Sequence, residues 1–482
     1  MNRGLPSLWI SIVPLVVLVA LISFVVVQFG DDALAGASQL ALILASAVSV
    51  GIGMVFSGVT FAEFEDAVAE KISSVSQPII ILLLIGAISG VWMISGIVPT
   101  MIYYGLQILN PQWFLLTACI ICAAVSVVTG SSWTTVATIG VALMGIGHTL
   151  GYSDGWVAGA VISGAYFGDK VSPLSDTTVL ASATVGTPLF THIHYMMYTT
   201  IPTFCLTMLI FMVAGLVHDT GSAETVSEIC NNLDRTFTIS PWLLTVPLMI
   251  GLLIARRLPS MLILFLAVVF AGIAALIAQR GILYQIAGDG GISSLFRGLM
   301  ISIYDATSVE TGEKTLNALI STRGMSGMMS TVWLIICAMV FGGAMTATHM
   351  LESIMDAIKR MAHNRVTMVG STAMTGVFLN LTTSDQYLSI MLTSSLYKDT
   401  YQRYGYEPRL LSRTCEDSAT VTSVLIPWTT CGMTQSSILG ISTLGYAPYC
   451  FFNIISPIMT VIIAATGWKI FRTKESVLHT TY

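Results

Sequence analysis

The sequence predicts an all-α polytopic membrane protein with about 11 to 13 embedded helices, arranged as two inverted repeats with broken or re-entrant helices. Charged residues make up only 9% of its 482 residues, whereas a soluble protein of average composition has roughly 25%. Hydrophobic residues make up 55%, and the mean hydropathy is +0.82. So much apolar surface suits contact with lipid and excludes an ordinary soluble enzyme.

Apolar runs long enough to cross a bilayer recur along the whole chain. The first, at 8 to 29, is predicted to be a retained helix, because no signal-cleavage pattern follows it. The run 241 to 279 contains Arg256, Arg257 and Pro259, which predict a turn between two helices. The remaining runs lie at roughly 38 to 57, 78 to 98, 112 to 150, 155 to 168, 194 to 217, 329 to 350, 366 to 397, 418 to 440 and 447 to 468.

Four parts are predicted along the chain. They are N-terminal helices with an interfacial linker at 1–76, a first repeat at 77–240, connecting helices with a loop at 241–330, and a second repeat at 331–482. Within the linker, the acidic stretch from Phe61 to Lys71 is predicted to be a cytoplasmic helix lying at the membrane interface.

Basic clusters predict the orientation, since cytoplasmic loops are enriched in Lys and Arg. An even number of crossings fits between successive clusters, so all of them, and the C-terminus, are expected in the cytoplasm. The acidic loop 218–234 then falls on the outside. The clusters are Arg256 with Arg257, Lys359 to Arg365, Lys398 to Arg413, and Lys469 to Lys474.

Two apolar runs are interrupted by hydroxyl-rich stretches, 128–135 and 381–386, which predict broken helices. Backbone that leaves helical geometry inside a membrane is tolerated only beside protein or a water-filled cavity. Paired interruptions in two halves of a chain are typical of the binding site of a secondary transporter. The residues that we expect to bind an ion at these breaks are Thr129, Ser131, Ser132, Thr383, Ser384 and Asp385.

The two interruptions also indicate a weak internal repeat. Setting 129–132 on 382–385 brings the stretch 168–175 close to 416–423, about five residues out of register. Chance similarity between stretches rich in Ser and Thr remains the alternative at this point.

The densest polar element of the sequence runs from Ser163 to Thr178 and has apolar residues on both sides. A charged side chain at the centre of a helix costs roughly 2.5 to 3.5 kcal/mol on insertion scales, so carboxylates kept there indicate a functional site. We expect Asp169 and Asp176 to bind a small cation, with hydroxyl ligands from Ser172, Ser175 and Thr177. A polar loop at the membrane surface is the alternative.

The second half contributes carboxylates that face this element in the predicted arrangement. Asp385 lies in the second interruption, and Asp417 lies in the stretch 415–423, which is predicted to open an apolar segment. We expect both aspartates to bind the ion, with Lys170 as the charge partner of one of them. A carboxylate that binds either a small cation or a proton, but never both, gives obligatory exchange when the cavity opens alternately to each side.

The string GDKVSPLSDTT at 168–178, preceded by SGAYF and followed by VLASA, resembles the signature of the C-type sodium/proton antiporters, the NhaC family. The resemblance implies an antiporter of the bacterial plasma membrane with Na⁺ and H⁺ as transported ions, no cofactor, and the lipid bilayer as partner. A homodimer is compatible with it. Asp169, Ser172, Ser175, Asp176 and Thr177 stand at the motif positions, so the resemblance implies that the cation expected at Asp169 and Asp176 is Na⁺. Similar transporters exchange sodium for small carboxylates such as malate and lactate, so the motif does not fix the substrate.

Proteins of other classes remain as competitors. Gly324 to Gly327 matches the G-x-S-G of rhomboid proteases, but such a match is expected by chance in a chain rich in Gly and Ser. A channel could also pass ions through hydroxyl and carbonyl groups. Carboxylate exchange would need a cationic anchor, for which Lys170, Arg409 and Arg413 are candidates. Basic residues are too sparse in the first 200 positions for a nucleic-acid-binding face.

Overall fold

The computed structural model describes residues 5–29, 36–218, 223–256, 258–288, 290–309, 317 and 320–472. Arg257, Lys474 and residues 219–222 of the acidic stretch, on which parts of the sequence predictions rest, lie outside the described residues. The described residues form α-helices with short 3₁₀ and π segments, and two isolated β-bridges, Thr307 with Thr322 and Tyr406 with Arg472. The predicted all-α polytopic fold class is confirmed.

Sixteen α-helices lie in the described residues up to 304. They are α1 Leu8–Phe29, α2 Ala37–Ile52, α3 Phe61–Ser74, α4 Ser76–Ile94, α5 Ile97–Ile108, α6 Phe114–Thr129, α7 Ser132–Thr135, α8 Val141–Thr149, α9 Asp154–Val171, α10 Asp176–Val185, α11 Leu189–Val217, α12 Ala223–Thr236, α13 Thr245–Ala255, α14 Ser260–Ala278, α15 Arg280–Ala287 and α16 Ile292–Tyr304.

Eight further α-helices lie in the described residues after 320. They are α17 Met329–Ala347, α18 Met350–Lys359, α19 Arg365–Thr383, α20 Gln386–Arg403, α21 Pro408–Cys415, α22 Thr430–Leu439, α23 Thr443–Tyr446 and α24 Phe451–Thr466.

Seven helices in the described part of the chain are long and apolar enough to cross a membrane. Two bent pairs raise the number to nine if each pair is one span: Cys230–Thr236 with Pro241–Leu253, bent by 92°, and Thr443–Tyr449 with Phe451–Thr466, bent by 54°. The count leaves out the short helices α7, α10 and α22, which have 4, 10 and 10 residues. The predicted total of 11 to 13 embedded segments therefore stays a prediction.

Several predicted boundaries agree with the structure. The first apolar run coincides with α1, and the basic turn separates α13 from α14 as expected. Both interrupted runs are broken helices, with α6 followed by α7 and α19 followed by α20. The predicted acidic loop 218–234 is wrong, because its described part from Ala223 onward is the helix α12. Polar and apolar side chains alternate there with a helical period, which an argument from net charge ignores.

The internal repeat is present, but in a different register from the one that the sequence indicates. Three pairs of turn residues share a positive φ, and the members of each pair are 254 residues apart. They are Gly130 and Ser384 (φ 66° and 58°), Gly151 and Gly405 (83° and 70°), and Gly186 and Gly440 (83° and 69°). The same separation relates the starts of α10 and α22 and of α11 and α23. Alignment of the two Ser/Thr strings is therefore wrong by one residue.

This register also corrects the expected place of Glu416 and Asp417. The helical run that starts at Pro408 continues through a π segment, Glu416–Thr420, to a 3₁₀ turn ending at Leu425, so the two carboxylates lie inside a helix rather than opening one. The counterpart of the break 172–175 after α9 is the break 426–429 before α22. Comparison of the two strings misses it because a turn can keep its geometry where the residue types differ.

Helices α6 and α9 pack against each other through small residues, which lets their backbones approach closely. A Cβ atom added at Gly164 would lie 2.1 Å from the carbonyl oxygen of Cys119, and one at Gly168 would lie 2.4 Å from that of Ala123. Any larger side chain at either glycine would force the helices apart. This contact fixes the end of α9 beside the end of α6, where the first break begins.

Candidate functional site

The first break has a geometry that requires glycine. Helix α6 ends at Thr129, and Gly130 takes a left-handed conformation in which a Cβ atom would lie 2.6 Å from Cβ of Leu174. Ser131 is extended, and its Oγ accepts a hydrogen bond of 3.2 Å from the Thr134 amide, which caps α7. The chain thus turns within two residues and immediately resumes a helix.

The second break repeats this geometry with one chemical difference. Helix α19 ends at Thr383, Ser384 is left-handed, and Asp385 is extended. The carboxylate Oδ1 of Asp385 accepts a hydrogen bond of 3.0 Å from the Leu388 amide, so aspartate caps α20 where serine caps α7. The second half therefore adds a negative charge at the position where the first half has a neutral hydroxyl.

Asp169, in the last turn of α9, is attached to the first break. Its Oδ2 accepts two hydrogen bonds from Ser132, 3.2 Å from the backbone amide and 2.7 Å from the hydroxyl. The Asp169 side chain is only 7% exposed. Both donors lie at the start of α7, where free amide groups favour a negative charge.

A cavity of about 330 Å³ lies between the two breaks. It brings together three aspartates: Asp169 and Asp385 are buried in its wall, and Asp176 is exposed into it. The lining residues that the sequence suggests as ion ligands are Thr129, Ser131, Ser132, Asp169, Ser175, Asp176, Thr177 and Asp385. No basic side chain is among the described residues that line this cavity.

Three of the expected hydroxyl ligands do not line the cavity. Ser172 donates a hydrogen bond of 2.8 Å to the Val127 carbonyl, and Thr383 donates one of 2.8 Å to the Leu379 carbonyl. Ser384 is buried, and its carbonyl accepts a hydrogen bond of 2.9 Å from the Thr430 amide. Ser172, Thr383 and Ser384 therefore hold the breaks in shape.

Lys170 and Asp417 form a second centre that is apart from the cavity lining. Consecutive residues of a helix point about 100° apart. The side chain of Lys170 therefore points away from the cavity that Asp169 faces and contacts Asp417 Oδ1 directly. Both side chains are fully buried. Of the two aspartates that the sequence offers as partners for Lys170, the structure places Asp417 there, and Asp417 does not line the cavity.

Further groups surround this pair. Asp417 Oδ1 accepts a hydrogen bond of 3.1 Å from Thr199, and the Lys170 ammonium donates one of 3.1 Å to Ser456. Arg413 Nε lies 3.8 Å from Asp417 Oδ2, and its guanidinium stacks over the Tyr195 ring at 4.7 Å. We call Lys170, Asp417, Arg413, Thr199 and Ser456 the buried charge cluster.

His192 lies deep in the protein close to this cluster. It is fully buried, and its Nδ1 lies 2.8 Å from the Ser412 hydroxyl. Lys170 is close enough to act on it electrostatically. His194, two residues further along the same helix, is exposed.

Sequence reasoning missed other residues at both centres. Gln386 and Tyr387 line the cavity directly after Asp385, and their position next to a charged helix start could have indicated this. Ser74, Gln77 and Pro78 line the cavity from α3 and the first turn of α4. Thr199 and Ser456 lie within long apolar helices, where a hydroxyl often bonds to its own backbone, so no pattern identifies them.

The cavity offers carboxylate, hydroxyl and carbonyl oxygens to its contents. Such hard oxygen ligands suit small cations without transition-metal chemistry. Taken with the fold, they define a polytopic helical membrane protein in which paired broken helices meet at an acidic cavity, an arrangement typical of secondary transporters.

Comparison with known proteins defines the family. Residues 164–468 match the model of the Na⁺/H⁺ antiporter family, and the chain belongs to this family. It is 36% identical over 405 residues to the Na⁺/H⁺ antiporter NhaC of Alkalihalophilus pseudofirmus, covering 84% of this chain and 85% of that one. The resemblance to the NhaC family is thus confirmed.

Two other relatives extend over almost the whole chain. The malate-2H⁺/Na⁺-lactate antiporter of Bacillus subtilis is 33% identical and covers 98% of this chain and 97% of its own. The arginine/ornithine antiporter ArcD of Halobacterium salinarum is also 33% identical and covers 97% of this chain and 93% of its own. These relatives are antiporters rather than enzymes, and they differ in what they carry.

Proposed function

We propose that the protein exchanges Na⁺ for H⁺ across a bacterial plasma membrane by alternating access, with the acidic cavity as the shared site. The observation that carries this proposal is the meeting of Asp169 from the first repeat and Asp385 from the second in one cavity. A site built from both repeats changes when the repeats move relative to each other, which is what alternating access requires.

The chemistry needs only the cavity carboxylates. When Na⁺ enters the cavity, a carboxylic acid there gives up its proton, and the proton leaves to the side from which Na⁺ came. The same carboxylate therefore carries one ion or the other. When the cavity opens to the opposite side, the carboxylate binds a proton from that side and releases Na⁺ there. Ser132 holds Asp169 through two hydrogen bonds, while Ser175 and Thr177 add neutral oxygens. We expect Na⁺ at Asp169 and Asp176, with Asp385 completing the site.

Exchange of small carboxylates is the alternative function, because one relative is a malate-2H⁺/Na⁺-lactate antiporter. The charges in the structure favour a cation. A carboxylate would need a cationic anchor, yet the described lining has three aspartates and no basic side chain. The three candidate anchors form ion pairs outside the cavity lining. Lys170 and Arg413 pair with Asp417, and Arg409 Nε lies 2.5 Å from Glu407 Oε2.

Neutralising Asp169 tests the proposal. In proteoliposomes with an imposed pH gradient, Asp169→Asn should abolish Na⁺-dependent proton movement, because the neutral amide releases no proton to the entering ion. The protein should remain folded and monodisperse in detergent. The matched control is Asp399→Asn, which removes an exposed carboxylate far along α20 and should leave exchange unchanged.

Two results would contradict this proposal. Exchange by Asp169→Asn at nearly the wild-type rate would remove the proposed site. Proton movement by the wild type that depends on malate or lactate in the vesicles would replace the proposal with carboxylate exchange. Uphill accumulation of Na⁺, driven by the pH gradient alone, separates an antiporter from a channel.

A further inference from the structure

Helix α3 precedes the first repeat and has an unusual distribution of charge. A capping box, in which Thr60 and Glu63 exchange hydrogen bonds, fixes its start. The acidic residues Glu63, Glu65, Asp66 and Glu70 are exposed. Lys71 is 8% exposed and is the one buried residue of the helix. The side chain of α3 that the rest of the protein buries is therefore its lysine, not one of its apolar residues.

The helix is fixed against the second repeat. It packs along α17, where Gly343 allows such a close approach that a Cβ atom there would lie 2.8 Å from Val68 Cγ2. The amphipathic sequence does not indicate this contact, and the interfacial location expected from that sequence stays a prediction. Because α3 is docked, the position of Lys71 is set by the fold and not by a mobile linker.

This packing directs the end of α3 to the acidic cavity. Ser74 lies one turn after Lys71, on the same side of the helix, and lines the cavity, as do Gln77 and Pro78 at the start of α4. Asp385 lines the cavity as well and is within electrostatic range of Lys71. Lys71 is thus placed one helical turn before the part of the cavity lining that α3 contributes.

Burial of an ammonium group is costly unless negative charge is near. Burial lowers the pKa of Lys71, and the negative charges of Asp385 and Glu70 raise it again. Glu70 is exposed to solvent, which screens its charge, whereas Asp385 is buried. Asp385 is therefore the principal counter-charge of Lys71.

We propose that Lys71 is a built-in counter-cation of Asp385 that competes electrostatically with the transported cation and so sets the affinity of the cavity for it. The inference rests on the function proposed above, since Asp385 must face the transported cation. It assigns an affinity-determining residue to a helix outside both repeats. An entering Na⁺ meets the field of Lys71 as well as that of the aspartates.

The test compares Lys71→Met, which keeps the length of the side chain without its charge, with the charge-conserving Lys71→Arg. Lys71→Met should lower the apparent Na⁺ constant for exchange in proteoliposomes roughly tenfold, the effect expected when a nearby unit charge is removed. Lys71→Arg should stay within about twofold of the wild type. The matched control, Lys359→Met, removes a lysine on α18 that does not line the cavity and should change nothing.

Calorimetric titration of the full-length protein in detergent with NaCl gives a second readout that does not depend on turnover. Tighter Na⁺ binding by Lys71→Met supports the inference, and Lys71→Gln replaces it if the methionine variant is not monodisperse. An unchanged or weaker Na⁺ constant in a well-folded neutral variant, with a wild type that exchanges Na⁺ for H⁺, overturns this inference alone. A wild type without Na⁺-dependent proton movement overturns the proposed function instead.

Discussion

Asp169 and Lys170 are neighbours in the chain but belong to different centres. Asp169 faces a cavity with two further aspartates, hydroxyl groups and room for an ion. Lys170 is sealed against Asp417, with Thr199, Ser456 and Arg413 around the pair and no exposed surface. The two centres differ in the free volume beside their charged groups. Asp169 lies beside a cavity that can hold an ion, whereas the Lys170–Asp417 pair is packed on all sides and holds two helices together. One sequence motif therefore contains both the proposed transport site and a structural tether between the repeats.

The largest expected effect comes from breaking the tether. Lys170→Ala leaves Asp417 buried without its ammonium partner, which should reduce the free energy of unfolding by roughly 3 to 5 kcal/mol. The double variant with Asp417→Ala should lose less than the sum of the two single losses, because the two charges interact directly. Thermal and denaturant unfolding in detergent would measure both effects.

The control for this coupling is the double variant of Lys170→Ala with Asp385→Ala. The two residues belong to different centres, so their effects on stability should add. An equal departure from additivity with either aspartate would mean that the two centres act as one and would remove the distinction between them.

The next effect concerns competition in the cavity. If Na⁺ and H⁺ share the cavity carboxylates, the apparent Na⁺ constant should rise about tenfold for each unit by which pH falls within the range where they are protonated, while the maximal rate stays constant. Initial rates of exchange over a grid of Na⁺ concentration and pH would measure this. A constant that is flat with pH, together with a falling maximal rate, would point to protonation at a remote group, with the exposed His194 and His349 as first candidates.

The smallest effect distinguishes two adjacent threonines. Thr177 lines the cavity, whereas Thr178 donates a hydrogen bond of 3.0 Å to the Lys170 carbonyl. Thr177→Val should weaken Na⁺ binding about fivefold at every pH, because one neutral oxygen ligand contributes about 1 kcal/mol to binding and does not titrate. Thr178→Val should lower stability by a similar amount and leave the Na⁺ constant unchanged. If Thr178→Val weakened Na⁺ binding and Thr177→Val lowered only stability, the roles assigned to the two hydroxyl groups would be wrong.

The sequence was sufficient for the fold class and for the places where helices break, because a cluster of hydroxyl groups and glycine interrupts an apolar run mainly where its helix ends. It was not sufficient for the register of the repeat, since Gly130 and Ser384 share a backbone conformation and not a residue type. It also could not separate Ser172 from Ser175. Only the path of the chain shows that the first hydroxyl bonds to a neighbouring carbonyl while the second faces the cavity.

The glycines between α6 and α9 have a consequence for how the protein moves. Gly164 and Gly168 lie so close to the carbonyls of Cys119 and Ala123 that sliding by one helical turn would drive larger side chains into the opposing backbone. The two helices must therefore travel as a single rigid body, with the first break and Asp169 attached to it. The surface that shears during transport then lies elsewhere, between this body and the second repeat, so cross-linking α6 to α9 should leave turnover intact.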